Sequence, residues 1–218
     1  MAGTIESLSE IFGVDFGTTN SAVARLTADG GATLAQFRTA HGPTETFRSI
    51  LYFEPKPARG VDPVHAGPAA VEHYRQAAHK GRFIQSLKAY LGDAGFTGTM
   101  IGGRHRTLPQ MIALILQRLL RAASDDFGAT PARAVIGRPV HFTVARSEEH
   151  DTLALTRMRE ALELAGITEF EFEYEPVAAA YAYRQRLTKS ATVLIGDFGG
   201  GTSDFSILAL DPPGTSGS

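Results

Sequence analysis

The chain has 218 residues, of which 43 % are hydrophobic and 20 % charged, as is ordinary for a globular protein with one or two domains. A formal net charge of −2 argues against a basic nucleic-acid-binding surface, and the absence of cysteine excludes disulfides and thiolate metal sites. No apolar run reaches the roughly 18 residues of a membrane helix, and the acidic N-terminus is unlike a signal peptide, so we expect a cytoplasmic protein that binds neither nucleic acid nor membrane.

The first third of the chain alternates short apolar runs with turn signals, a pattern typical of strands. Four strands are expected there, over residues 11–17, 21–27, 32–38 and 49–53. A loop rich in Pro and Gly is expected from 54 to 66. The strands precede a more helical region.

Helical spacing of apolar residues predicts five helices in the rest of the chain. They are expected over residues 68–79, 84–92, 108–124 and 147–165, with a fifth opened by Glu175-Pro176. Between the second and third lies a glycine-rich turn region that holds Arg104, His105 and Arg106. Ser147 is the expected N-cap of the fourth helix. Strands are expected over 132–139, 170–174 and 204–210, and a further strand begins at Val193.

One short pattern occurs twice. Residues 13–21 read GVDFGTTNS, and residues 193–205 read VLIGDFGGGTSDF, so Asp15 and Asp197 are equivalent positions 182 residues apart. Each copy predicts a hairpin with a tight glycine turn, and two copies suggest two related lobes. We therefore expect residues 1–39 and 110–188 to form a first-lobe core, with 40–109 as an inserted subdomain. Residues 189–218 would be the first hairpin of an incomplete second lobe, because an isolated hairpin is unstable.

The two turns have the chemistry of a phosphate site. Glycine turns expose backbone N–H groups to anionic oxygens, and Thr18, Thr19 and Thr202 add hydroxyl donors. Asp15 and Asp197 are suited to Mg²⁺, which keeps most of its water and accepts one or two carboxylates. The simpler alternative is that Asp and Gly only build the turns.

Other phosphate and catalytic motifs are absent. The sequence contains no Gly-Lys-Ser/Thr, and the glycines from Gly199 onward do not fit a G-x-G-x-x-G spacing. Asp-Phe-Gly occurs twice without the His-Arg-Asp loop of protein kinases. The seven histidines form no HExxH motif and are expected to be surface or hydrogen-bonded residues.

Five segments occur in an order that resembles the nucleotide-binding domain of the seventy-kilodalton heat-shock chaperones. They are GVDFGTTNS, KAYLG, AVIGRP, EPVAAAYAY and DFGGGTSDFSIL. The resemblance runs from about residue 11 to 211, is weak over 54–107, and is greatest to the divergent YegD-type bacterial branch. It implies the α/β fold of the actin, hexokinase and sugar-kinase superfamily: an actin-like, ribonuclease H-like ATPase lobe with a mixed sheet flanked by helices and an inserted subdomain.

The resemblance also implies roles for individual residues. Asp15 and Asp197 would orient a hydrated Mg²⁺, while Lys88, Glu175, Asp204 and Thr202 would act on the γ-phosphate and the attacking water. The residues implied to cradle the phosphates of ATP or ADP are Gly17, Thr18, Thr19, Asn20, Gly199, Gly200, Gly201 and Thr202. Lys88 is otherwise a solvated helix lysine, and Glu175 a first-turn acid stabilised by the helix dipole. Pro139 matches a proline that relays the nucleotide state, or simply ends a strand.

Two positions depart from the family pattern. Asn20 stands where typical chaperones carry an aromatic residue, and Arg48 replaces a usual proline. The segment after Pro139 is also longer than is usual. These departures bear on interdomain coupling more than on the ATP site.

The sequence therefore favours an ATP-hydrolysing, chaperone-like switch, with unfolded proteins and co-chaperones as partners through regions outside this chain. Three alternatives stay open: an actin-like filament protein, a sugar kinase, and a fragment that does not bind nucleotide. The inserted subdomain of about 70 residues is large for a filament protein. We expect the full-length protein to be an ATPase and these 218 residues alone to be inactive.

Overall fold

The computed structural model describes residues 11–55, 64–131, 133–142, 147–200 and 203–214. The strands are β1 Ile11–Phe16, β2 Asn20–Leu26, β3 Ala32–Leu34, β4 Phe37–Thr39, β5 Gly42–Thr44, β6 Phe47–Arg48, β7 Ile50–Phe53, β8 Val64–Ala66, β9 Arg82–Gln85, β10 Gly98–Ile101, β11 Arg104–Thr107, β12 Arg133–Arg138, β13 Phe170–Tyr174, β14 Ala191–Phe198 and β15 Ser203–Leu210. The helices are α1 Pro68–Gln76, α2 Leu108–Phe127, α3 Glu148–Leu164 and α4 Glu175–Arg184, with a 3-10 helix over Leu87–Tyr90.

The largest sheet has six strands and is mixed. Its order is β13-β12-β1-β2-β3, and β6 also pairs with β2. β1 runs parallel to β12, and β12 parallel to β13, whereas β2 returns antiparallel to β1. The carboxyl ends of three parallel strands therefore lie along one edge of the sheet, next to the turn that joins β1 to β2. The mixed α/β architecture expected from the sequence is confirmed.

The main core lies between this sheet and α2 with α3. Alternate side chains of β1 point into it, and Phe12, Val14 and Phe16 are all buried. α2 begins at a capping box formed by Thr107 and Gln110, and Gly128 ends it in a left-handed conformation with φ 64. Burial of β1 against these helices places its carboxyl end at the edge of the sheet.

Three sequence expectations are wrong in detail. The predicted strand over 32–38 is interrupted: β3 pairs with β2, whereas β4 pairs with β5. The predicted loop over 54–66 ends in β8, which pairs with β7, and residues 56–63 lie outside the described residues. The predicted glycine-rich turn is confirmed: it joins the β10–β11 hairpin through two glycines with positive φ. Ser147 occupies the N-cap position of α3, but its side chain makes no capping hydrogen bond.

The predicted helix over 84–92 is also wrong, and this error affects the candidate site. Ile84 and Gln85 belong to β9, which pairs with β7. Ser86 then turns the chain with φ 60, and the 3-10 helix follows at once. The apolar spacing that predicted a helix instead reflects Leu87 and Leu91, both buried in the main core. Pairing with β7 therefore overrides the local helical pattern.

The second glycine hairpin forms a separate two-stranded sheet, β14 with β15. α4 packs against both of its strands. Among the described residues, no helix combines the length and the apolar character needed to cross a membrane. The proposed division of the chain into a core, an inserted subdomain and a second lobe stays a prediction.

Candidate functional site

The two glycine hairpins are built in the same register. In the first, Asp15 pairs with Ala22 and Phe16 with Ser21. In the second, Asp197 pairs with Asp204 and Phe198 with Ser203. Each Phe–Ser pair therefore encloses four residues, and each aspartate is the last residue but one of its strand. The repeated sequence pattern corresponds to a repeated strand register.

The two turns also touch each other. A Cβ atom added to Gly200 would overlap the side chain of Thr19, so only glycine permits the present approach of the second turn to the first. Gly17 is required within its own turn, because a Cβ there would overlap the carbonyl oxygen of Asn20. Backbone groups of two turns thus converge on one small space.

That space is a cleft of about 210 Å³. Most of the sequence-predicted site residues line it: Asp15, Gly17, Thr18, Thr19, Asn20, Lys88, Glu175, Asp197, Gly199, Gly200 and Asp204. Pro139 lines it as well. Gly201 and Thr202, which were predicted to complete the second turn, lie outside the described residues. Residues from five distant parts of the chain therefore share one cleft.

Lys88 and Glu175 form an ion pair at the cleft wall. The Lys88 Nζ donates to Glu175 Oε1 at 2.7 Å, and the two side chains are 11 % and 22 % exposed. Glu175 is the first residue of α4, where its negative charge is favoured by the helix dipole. Gly137 on β12 leaves room for it, because a Cβ at that position would lie 3.3 Å from the Glu175 Cγ.

The backbone around Lys88 is held from three sides. Ser86 turns the chain in the left-handed region, which non-glycine residues rarely adopt. Leu87 anchors the 3-10 helix in the core. The buried Arg157 of α3 donates from Nη1 to the carbonyl oxygens of Leu91 and Asp93 at 3.0 and 2.8 Å. Sequence reasoning missed Arg157, because a helical arginine gives no sign that it will be buried.

Asp15 carries a perturbed carboxyl group. Its side chain is still reached by solvent, but the surrounding protein displaces much of its water and raises its pKa above the ordinary value. The positive charge of Lys88 opposes that rise, and the negative charges of Glu175 and Asp197 add to it. A carboxylate in this setting gains from a cation bound beside it, since the cation offsets both burial and the neighbouring acids.

His141 also lines the cleft and was not singled out in the sequence. Its Nδ1 lies 2.7 Å from Asp151 Oδ2, and the Phe142 N–H donates to Asp151 Oδ1 at 2.9 Å. Burial alone would raise the pKa of Asp151, but these two hydrogen bonds lower it below the ordinary value. Asp151 thus ties the segment after Pro139 to the first turn of α3. No motif connects these residues in the sequence.

The two departures from the family pattern contact each other. Arg48 Nη1 donates to Asn20 Oδ1 at 3.2 Å, and the two residues face each other across the β2–β6 pairing. Asn20 is therefore oriented by Arg48 at the rim of the cleft.

A comparison with protein-family models found a match. The family described as "Hsp70 protein" matches residues 77–215, which is 139 of the 218 residues. The match contains Lys88, Glu175 and the second hairpin, and it begins after the first hairpin.

Proposed function

The chain belongs to the Hsp70 family, and on that basis we propose that its cleft binds ATP and hydrolyses it as the nucleotide switch of a chaperone-like protein. The observation that carries the proposal is the convergence of both hairpin turns with the Lys88–Glu175 ion pair on one cleft. Turn backbones and hydroxyls suit the oxygen atoms of phosphate groups, and the paired charges suit phosphoryl transfer.

The turns would hold the phosphates. Thr18, Thr19 and Asn20 come from the first turn, and Gly199 with Gly200 from the second. Because the turns approach as closely as a glycine allows, phosphate oxygens would be gripped between them rather than against one wall. Such a grip tolerates no added side chain at Gly200.

Magnesium fits the donors present. Asp15 and Asp197 line the same cleft, and carboxylate oxygen is the ligand that Mg²⁺ prefers. The raised pKa of Asp15 indicates a carboxylate whose negative charge is incompletely compensated by its protein neighbours. We therefore infer that these two residues hold the ion, directly or through its water. When bound, Mg²⁺ supplies positive charge that neutralises the phosphates.

Lys88 and Glu175 would act on the transferred group and the attacking water. Lys88 places a positive charge at the cleft, where it stabilises negative charge that develops on phosphoryl oxygens. Glu175 accepts one hydrogen bond from Lys88, and its carboxylate keeps lone pairs free to orient a water molecule. Asp204, opposite Asp197 in the hairpin register, is positioned for a similar role.

The finer parts of the proposal rest on the family resemblance. We infer that β14 and β15 begin a second lobe, and that 40–109 is an inserted subdomain of the first. Clients and co-chaperones would bind elsewhere in the whole protein. Family membership favours this chaperone role over a filament or a sugar kinase. Assignment to the YegD-type branch rests on the segment GRPVHF at residues 137–142 and on the longer stretch that follows it.

The test is Mg²⁺-dependent ATP hydrolysis by the full-length protein carrying Asp197→Asn. We expect turnover to fall about 100-fold or more, because the substitution removes a charge that holds the metal and the transition state. The matched control is Asp29→Asn, which changes an exposed turn aspartate outside the cleft and should leave turnover unchanged. Wild-type turnover by Asp197→Asn would refute the metal role.

A further inference from the structure

A second set of metal-ligating side chains lies outside the cleft. Glu54 directly follows β7, His65 lies in β8, and His73 lies on α1. The β7–β8 pairing places Tyr52 opposite His65, so Glu54 stands near the neighbouring end of the ladder. None of the three residues lines the cleft between the glycine hairpins. Three separate elements thus bring two imidazoles and one carboxylate together.

The ligand atoms converge. His65 Nε2 lies 2.8 Å from Glu54 Oε1, and His73 Nδ1 lies 3.8 Å from the same oxygen. One ligand atom from each residue lies within 4.8 Å of the other two. The two imidazole rings stack with centroids 3.6 Å apart and planes inclined by 12°. Zinc–ligand bonds of about 2.0–2.2 Å place ligand atoms roughly 3.5 Å apart. The spacing of these atoms is therefore close to that of a zinc site, but the stacked rings have nearly parallel lone pairs, so one ring must rotate before both nitrogens face an ion.

We propose that Glu54, His65 and His73 bind a divalent transition-metal ion of the zinc class. Two of the three donors are imidazole nitrogens, which suit Zn²⁺ and its neighbours in the transition series, whereas Mg²⁺ and Ca²⁺ prefer oxygen ligands. Two histidines and one carboxylate form a three-ligand set that leaves the fourth tetrahedral position to water. The site requires no cysteine, which this chain lacks.

The side chain of His65 is held by its neighbours, whereas that of His73 is free to rotate. His65 is 16 % exposed and stacks on the Tyr52 ring, and the buried Tyr52 donates its hydroxyl hydrogen to the Lys80 carbonyl oxygen at 2.9 Å. His73 is 42 % exposed at the helix surface, so its ring can rotate until its nitrogen faces the ion. An ion held there would join β7, β8 and α1, and it would stabilise this part of the fold independently of nucleotide.

The experiment measures Zn²⁺ binding to the tag-free, full-length protein by titration calorimetry after treatment with a chelator. We expect the wild type to bind one Zn²⁺ per chain. Its melting temperature should rise by about 5 °C or more when free Zn²⁺ is at a hundredfold excess over the dissociation constant. His73→Ala should weaken this binding at least about 100-fold and abolish the shift, because a direct ligand is lost. The matched control is His41→Ala, an exposed histidine on the β4–β5 turn, which should retain both.

A second variant and a spectrum separate this site from the nucleotide cleft. Glu54→Gln keeps the shape of the side chain and should also weaken binding. Co²⁺ in place of Zn²⁺ should show coordination by two imidazole nitrogens in the wild type and in His41→Ala, but not in His73→Ala. Asp197→Asn should leave this Zn²⁺ signal intact even if it abolishes ATP hydrolysis. The proposal is overturned if the wild type shows no Zn²⁺-dependent shift, or if His73→Ala and Glu54→Gln bind like His41→Ala.

Discussion

The two glycine hairpins have equivalent sequences and registers but opposite surroundings. The first is part of the six-stranded sheet, where α2 and α3 cover it and Phe12 is 0 % exposed. Among the strands that the structure describes, β14 and β15 pair only with each other, and Phe205 and Ile207 are 63 % and 74 % exposed. The strand register next to each turn is therefore the same whatever packs beneath the strands, since a Phe–Ser pair closes both turns.

The two hairpins differ in how much of their apolar surface is buried. α4 covers one face of the second hairpin, where Val193 and Leu208 are partly buried. Its other face leaves Leu194, Phe205 and Ile207 in solvent. Apolar side chains that alternate to one face of a sheet are the pattern of a strand that packs against a further layer. This observation supports the proposal of a second lobe, and it suggests how the two hairpins can be compared by mutation.

The largest expected effect is on stability, in a matched pair of phenylalanine truncations. Phe12→Ala should lower the free energy of unfolding by about 3–5 kcal/mol, because it leaves a cavity in the core and removes the edge-to-face contact with Phe127 at 5.1 Å. Phe205→Ala should cost about 1 kcal/mol or less in the 218-residue chain. Urea denaturation of both variants measures the difference.

The same pair tests the second lobe. If a further layer covers the second hairpin in the full-length protein, Phe205→Ala should cost clearly more there than in the 218-residue chain. An equal, small cost in both would contradict the second-lobe proposal. Phe12→Ala serves as the reference, since its site is fully buried within this chain.

A smaller effect is expected where the two hairpins meet. In Gly200→Ala the new Cβ overlaps the side chain of Thr19, so the turns must separate. Overpacking of this kind costs about 1–3 kcal/mol, which should weaken ATP binding by the full-length protein about tenfold or more. Equilibrium titration with a fluorescent ATP analogue measures the change.

The control for this substitution is Gly13→Ala in β1. A Cβ there would meet only the Ala24 carbonyl oxygen, at 3.9 Å, which is an ordinary contact. Its affinity for ATP should equal that of the wild type. If Gly200→Ala also binds normally, the two turns do not grip the phosphates together.

Much of the fold could be predicted from the sequence where local pattern and tertiary role agree. α2 is an example, since its apolar spacing, first-turn Pro109 and terminal Gly128 all indicate the same helix. The prediction over 84–92 failed because the apolar residues serve a strand, a left-handed turn and a 3-10 helix in succession. Spacing shows which residues are buried, but it does not show whether a neighbouring strand is available to pair.

Some residues of the candidate site could be predicted from the sequence, and others could not. The hairpin residues could be found because the pattern is repeated within the chain. Lys88 was found through a resemblance alone, and its contact with Glu175 joins positions 87 residues apart. The supporting contacts of Arg157, the His141–Asp151 pair and the Glu54–His65–His73 set carry no local signal, because each depends on elements that meet only in the folded chain.

The smallest expected effect on stability is at Asp15 in the first hairpin, where activity and stability should change in opposite directions. The folded-state pKa of Asp15 is raised, so the ionised carboxylate is disfavoured in the nucleotide-free protein at neutral pH. Asp15→Asn should therefore abolish ATP hydrolysis yet raise the free energy of unfolding at pH 7. As the pH falls below the folded-state pKa of Asp15 toward the ordinary value of 3.8, the wild-type carboxyl is protonated on folding and the advantage of the variant should fade.

Asp29→Asn should change the free energy of unfolding in the opposite direction. Hydrogen bonds from the Thr27 hydroxyl and the Gly31 N–H lower its pKa, so its ionised form stabilises the turn at neutral pH. Asp29→Asn should lower stability at pH 7, and its deficit should shrink as the pH falls through the lowered pKa. Urea denaturation of both variants from pH 7 to pH 3 gives the two curves. If Asp15→Asn instead lowers the free energy of unfolding at pH 7, the ionised Asp15 carboxylate stabilises the nucleotide-free protein. The proposed cost of its negative charge in the absence of a cation would then be wrong.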